Sequence, residues 1–255
     1  MFINRTVITV GTTERRERER ELLRARIVEA ARDILSDDGL AGLSMRAIAE
    51  RIEYSPATIY LYFKDKDELI REVVLAGMER LWQANREELA TLPETADAAD
   101  QYAALGRAYA RFALENTAYF RVMFELPGAA QFDEEGEAPC VESDVGFERV
   151  VRVVESAASQ GLMEVRDPQR TAVIGWGLLH GLTSLYLSGH LGKVVNSNEA
   201  FMQLVEEAIQ SLYSGFRGPN RTRPVRLNPE NRASPDEAAE KPGKRSRPRA
   251  GKGLR

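Results

Sequence analysis

A chain of 255 residues with 43% hydrophobic side chains has enough apolar material to bury one large core or two modest ones, and its single cysteine, Cys140, excludes an internal disulfide framework and any cysteine-cluster metal site. No stretch reaches the roughly 18 uninterrupted apolar residues of a membrane span, and residues 1–13 lack the basic-then-apolar pattern of a signal peptide, so the expectation is a cytoplasmic chain with no membrane partner. The net charge of −4 divides unevenly, residues 1–66 carrying 12 basic and 11 acidic side chains, residues 67–216 carrying 11 and 24, and residues 217–255 carrying 12 and 4, which keeps a polyanion from the middle and directs it to the two ends.

From Glu14 onward apolar residues recur at helical spacing, with almost no alternating segment of strand length, and the predicted fold class is all-α with about nine helices. The first helix places Leu23, Ile27, Ala30, Ala31 and Ile34 on one face and stops at Asp37-Asp38-Gly39, where glycine takes the left-handed conformation after the last turn. A short second helix follows Ser44, a good N-cap, with Ile48, Ala49 and Ile52 as its buried stripe. Ser55-Pro56 opens a brief third helix, with Ile59 and Phe63 inward. Asp65 with Glu68 is a capping-box pattern that starts a long fourth helix reaching about Leu89. Further helices are predicted near 98–116, 117–126, 143–160, 168–190 and 198–216, with a loop from Pro127 to Cys140. After Phe216 large apolar side chains almost vanish, and such a composition cannot repay ordering entropy, so disorder is expected there.

Two short helices separated by Glu53-Tyr54-Ser55 have the spacing of a helix-turn-helix, whose second helix fits the major groove of double-stranded DNA. Pro56, Ala57, Thr58, Tyr60 and Tyr62 are the candidate groove-facing groups, because small apolar groups touch thymine methyls and hydroxyls reach base edges or phosphates. Lys64 and Lys66, with Arg46 and the capped amides at Ser44 and Ser55, are the candidate phosphate contacts. The mixed-charge run Glu14 to Glu21 reads as a solvated helix lead-in, with an N-terminal arm reaching DNA as the alternative.

Leu43-Ser44-Met45-Arg46-Ala47-Ile48-Ala49, followed by Ser55-Pro56-Ala57-Thr58-Ile59-Tyr60-Leu61-Tyr62-Phe63-Lys64-Asp65-Lys66-Asp67-Glu68-Leu69, resembles the signature of TetR-type transcriptional regulators. The resemblance covers roughly residues 20–70. It implies a homodimer that binds a palindromic operator through its first three helices and senses a small-molecule effector with the remainder. The domains implied are an arm (1–19), a helix-turn-helix domain (20–66), a helical ligand-binding and dimerisation domain (67–216) and a basic tail (217–255). One residue departs from the pattern: Glu53 stands where the turn usually has glycine, so it must tolerate an unusual backbone angle or the turn must change, and its negative charge lies near the expected phosphates. Tyr119-Phe120-Arg121-Val122-Met123-Phe124 and Trp176-Gly177-Leu178-Leu179-His180-Gly181 resemble the subgroup named for a Trp-His-Gly pattern, which implies a ligand domain and names no ligand.

Phe120, Phe124, Trp176 and His180 are therefore the candidate ligand contacts, although an aromatic stripe at helical spacing equally describes a core, and His180 equally describes a core histidine bonded to its neighbours. His190 lies too far along for a helical metal pair with His180, and no cofactor or metal site is expected. The loop residues Asp133, Glu134, Glu135 and Glu137 read as a solvated cluster, and Cys140 as a plain loop cysteine. The last helix, with Leu204, Val205, Ala208, Ile209, Leu212 and Tyr213 in one apolar stripe, and its predecessor, apolar nearly all round, are the expected pairing surface of the dimer.

No nucleophile elbow, phosphate-binding glycine loop or cysteine-histidine pairing is present to support an enzyme. The function expected is a repressor released from its operator by a small, mainly apolar ligand. The alternative is a DNA-binding protein without a ligand, acting through protein partners.

Overall fold

The computed structural model describes residues 12–126 and 146–216. Among them the chain forms nine helices and no strand: α1 (Thr12–Gly42), α2 (Met45–Arg51), α3 (Pro56–Tyr60), α4 (Lys66–Ala90), α5 (Ala98–Glu115), α6 (Thr117–Phe124), α7 (Phe147–Ser159), α8 (Pro168–Leu187) and α9 (Asn198–Phe216). The predicted basic tail, the N-terminal end of the arm and the acidic loop with Cys140 lie outside the described residues. No described helix is long and apolar enough to cross a membrane.

The helix starts follow local chemistry. Ser44 Oγ accepts from the Ala47 amide at 3.0 Å, Ser55 Oγ from the Thr58 amide at 3.2 Å, and Asp65 from the Glu68 amide at 2.8 Å. The expected box at Asp65 closes one residue earlier than its usual form, since Glu68 accepts from the Lys64 amide. A full capping box instead opens α5, where Asp97 and Asp100 bond each other's amides. α1 breaks at Gly39, with φ 65° and ψ −164°, within the Asp37-Asp38-Gly39 stop, and one further turn carries the chain to Gly42.

α1, α2, α3 and the start of α4 enclose a small core built on Ile27, Ile48, Ile59, Phe63 and Leu69, all at most 1% exposed. Behind it α5 is the central post, packed on α4, α6, α7, α8 and α9. Its alanine-rich inner surface lets those helices approach closely, and Phe112, Phe120, Phe201 and Val205 fill the space between them. α1 also packs directly on α6, so the two cores share a boundary.

The expected pairing stripe on α9 is for the most part already used. Val205, Ile209 and Tyr213 are buried in their own chain's core, and Leu204, Ala208 and Leu212 are partly buried against it. The surplus apolar surface is on α8. Its inner side (Thr171, Ala172, Gly175, Leu179, Thr183) is buried, while Ile174, Leu178 and Leu185 remain 52%, 38% and 44% exposed. An amphipathic helix such as α9 satisfies its one stripe within the bundle, whereas a helix apolar on all sides has a side left over.

Candidate DNA-binding surface and ligand cavity

The turn between α2 and α3 is tight. Glu53 sits at φ 62°, the left-handed conformation that its glycine-like position requires, and the Tyr54 amide donates to the Ala49 carbonyl at 2.9 Å. Ile52 and Ile59 anchor the two helices from below, and the outer side of α3 is left to solvent. Pro56, Ala57 and Tyr60 are exposed there, Tyr60 by 58%; Thr58 is half-buried with its hydroxyl 2.9 Å from that of Ser55. Ser44, Arg46 and Lys64 are exposed at the rim. Arg46 Nε donates to Glu50 at 2.8 Å, a solvent-screened pair that a phosphate can replace.

Two residues of the predicted set are otherwise engaged. Tyr62 is half-buried beneath the guanidinium of Arg20 on α1, 6.0 Å from its ring centroid. The Lys66 ammonium donates to the Leu40 carbonyl, so it binds the start of α4 to the end of α1. Leu61, 76% exposed at the end of α3, and Tyr54, 43% exposed beneath Arg26, belong to the same surface. Leu61 was legible from spacing alone, because with Ile59 and Phe63 turned inward the residue between them faces out.

The four predicted ligand residues come together. Phe120 stacks on His180 with centroids 5.4 Å apart, Phe124 lies 6.0 Å from Trp176 and 5.6 Å from His180, and Trp176 lies 5.9 Å from His180. Sequence reasoning missed the residue at their centre, Tyr109 on α5, whose hydroxyl is 2.8 Å from His180 Nδ1. Burial drives the Tyr109 phenol well above its ordinary range and pulls the His180 imidazole below its own, against the smaller upward pull of Glu125. His180 is thus a neutral ring bonded to its neighbour.

Beside this cluster lies a cavity of about 470 Å³, within the range of small-molecule sites, walled by α4 to α9. Trp82 and Asn85 come from α4, Tyr102 from α5, Phe124 from α6, Phe147 from α7 and Trp176 from α8. Phe124 and Trp176 face the space, and Phe120 and His180 stand behind them in the wall. Tyr119, next to Phe120, lies between two cations: Arg32 of α1 is 4.9 Å and Arg80 of α4 is 4.8 Å from its ring centroid.

Comparison with known proteins places both halves. Residues 27–73 match the model of bacterial regulatory proteins of the tetR family, and residues 102–208 match the tetracyclin repressor-like C-terminal domain. The chain is 38% identical over 71 residues to the HTH-type transcriptional regulator UidR of Escherichia coli (strain K12), covering 28% of this chain and 36% of that one. It is 32% identical over 114 residues to an HTH-type transcriptional regulator of Mycobacterium tuberculosis (strain H37Rv), covering 44% of this chain and 48% of that one. The matches therefore span about a third to a half of these relatives. A solved protein of unknown function from Rhodococcus sp. RHA1 superposes with a TM-score of 0.61 at 25% identity, over 83% of this chain and 99% of that one. With its helix-turn-helix unit matching one part of the family and the helices behind it the other, the chain belongs to the tetR family of bacterial regulatory proteins.

Proposed function

We propose that this chain is a cytoplasmic homodimer that binds a palindromic operator in double-stranded DNA as a transcriptional repressor, and that a small, mainly apolar effector releases it. The observation that carries the reading is α4. Its first turn is bonded to the end of α1 through Lys66 and Leu40, and Trp82 and Asn85 further along the same helix line the cavity. Between Lys66 and Trp82 an unbroken helix spans about 24 Å, so a small displacement of the cavity wall is delivered to the helix-turn-helix. Tyr119, held between Arg32 and Arg80, adds a second connection from the aromatic cluster to α1.

On the DNA side, Ala57 and Thr58 meet base edges with Pro56 and Tyr62 beside them in the groove, while Ser44, Arg46, Ser55, Tyr60, Lys64 and the remaining donors of Lys66 meet the backbone. Two reading helices of a dimer must stand roughly 34–36 Å apart to enter successive major grooves, so a tilt of a few degrees ends the fit. The exposed apolar side of α8 (Ile174, Leu178, Leu185) is the natural seam for the second copy, with the partly buried edge of α9 (Leu204, Ala208) beside it.

The test begins with selection of bound duplexes from random DNA. Tyr60→Ala is expected to weaken binding to all of them, and Lys64→Ala to weaken binding and lower the salt slope by about one unit. Effector affinity, for a compound found by thermal-shift screening, is then measured with and without saturating duplex. A coupling of about 1–3 kcal/mol makes it roughly 5–150-fold weaker on DNA. Equal affinities would exclude the switch and favour the ligand-independent alternative.

A further inference from the structure

Every described residue that lines the cavity is uncharged. Charged groups stand next to lining residues: Glu88, one turn beyond Asn85, and Arg107, beside Gly106, are bonded to each other at 2.7 Å, and Glu125, beside Phe124, acts on Tyr109. An anionic ligand group in this space would lose its hydration and meet no cation among the described lining residues.

The polar groups of the wall are mostly donors. The Tyr102 hydroxyl is fixed against α8, where an added Cβ on Gly175 would stand 1.9 Å from its oxygen. Burial pushes this phenol up to about 12, so it keeps its proton and donates throughout the physiological range. The Trp82 indole N–H is closed off beside Gly146, where an added Cβ would stand 3.4 Å from it, so Trp82 gives the cavity its ring and not its N–H. Asn85 adds an amide with two N–H groups and one oxygen. The rest of the wall is apolar, with Trp82, Phe124 and Trp176 presenting ring edges and faces.

We infer that the effector is a neutral, ring-containing molecule with a carbonyl or ether oxygen that accepts from Tyr102, and that the cavity refuses carboxylates. The inference rests on the reading of this cavity as the effector site and specifies its chemistry. An acceptor beside the Tyr102 hydroxyl receives a hydrogen bond from it. A hydrocarbon makes no such bond.

The experiment uses the full chain and three probes of similar size: benzophenone, which has a neutral acceptor; diphenylmethane, which has none; and diphenylacetate, which is an anion. Binding is read by calorimetry and by the fluorescence of the two tryptophans, both of which line the cavity. Benzophenone is expected to bind about tenfold more tightly than diphenylmethane, as one well-made hydrogen bond allows, and diphenylacetate not at all. Tyr102→Phe keeps the ring and removes the donor. It is expected to abolish most of the ketone's advantage while the hydrocarbon still binds, which also shows that the variant is folded. Diphenylacetate binding as well as the ketone, or a ketone no better than the hydrocarbon, overturns the donor reading. If diphenylmethane nevertheless binds and releases a selected duplex, the cavity remains the effector site and only its assigned chemistry falls. If none of the three binds, both readings fall.

Discussion

Arg107 Nε donates to Glu88 Oε1 across 2.7 Å in the interior of the bundle, with 4% and 6% of the two side chains exposed. The other oxygen of Glu88 accepts from Arg111 at 2.7 Å, and Glu206 Oε1 lies 3.8 Å from the same Arg107 nitrogen. The cluster ties the last turns of α4 to α5 and α9, so the end of α4 nearest the cavity is held while its far end reaches the helix-turn-helix. Arg107→Met removes the cation that both buried carboxylates face and is expected to cost about 3–5 kcal/mol. Urea unfolding monitored by circular dichroism measures it as a lowered midpoint.

Glu53 is the described non-glycine residue with positive φ, at 62°. Holding a residue with a Cβ in this region costs roughly 1–2 kcal/mol. Glu53→Gly is expected to raise stability by up to about 1 kcal/mol, less than that strain because glycine also loses more chain entropy on folding. It also takes a carboxylate away from the proposed phosphate path, so DNA affinity rises. Thermal melting and a DNA titration read the two effects separately.

The glycines of α8 divide by what surrounds them. Gly175 has the Tyr102 oxygen where a Cβ would go, whereas Gly177 and Gly181 have nothing within 4 Å. Gly175→Ala is expected to displace Tyr102, to cost about 1–3 kcal/mol as an overpacked site and to shrink the cavity. Gly177→Ala and Gly181→Ala each favour the helix by about 1 kcal/mol if that side of α8 stays in solvent. If a second copy packs there, the same changes weaken association instead, and sedimentation at several concentrations separates the outcomes.

His180 is held below its ordinary value of 6.5, chiefly by burial. A depressed imidazole binds fewer protons folded than unfolded, so its stabilisation is fully present above pH 6.5 and is lost as the pH falls through its lower folded value. Thermal stability of the wild type is expected to drop on acidification through this window, and that of His180→Asn to drop less. A difference spectrum of the Trp176 emission, whose ring is 5.9 Å from the imidazole, follows the same titration locally.

What was legible in the sequence is what neighbouring residues decide between themselves. A serine or aspartate frees itself of no distant partner when it caps a helix, so Ser44, Ser55 and Asp65 announced the starts of α2, α3 and α4, and Gly39 the break in α1. Glu53 left two outcomes open, an unusual backbone angle or a changed turn, and the structure has the first, at φ 62°. Phe120, Phe124, Trp176 and His180 were recognisable as a group by apolar periodicity and the resemblance to a family pattern. Only the tertiary structure decided that Phe124 and Trp176 face a cavity while Phe120 and His180 stand behind them, since a helical stripe looks the same against a core and against a void. It also left the larger exposed apolar side on α8 of the two helices expected to pair, engaged Lys66 with Leu40, and brought Glu88, Arg107 and Glu206 together from three helices far apart in sequence. Those outcomes depend on which helix packs beside which, and the free energy of a side chain's environment is set by neighbours that local sequence does not name.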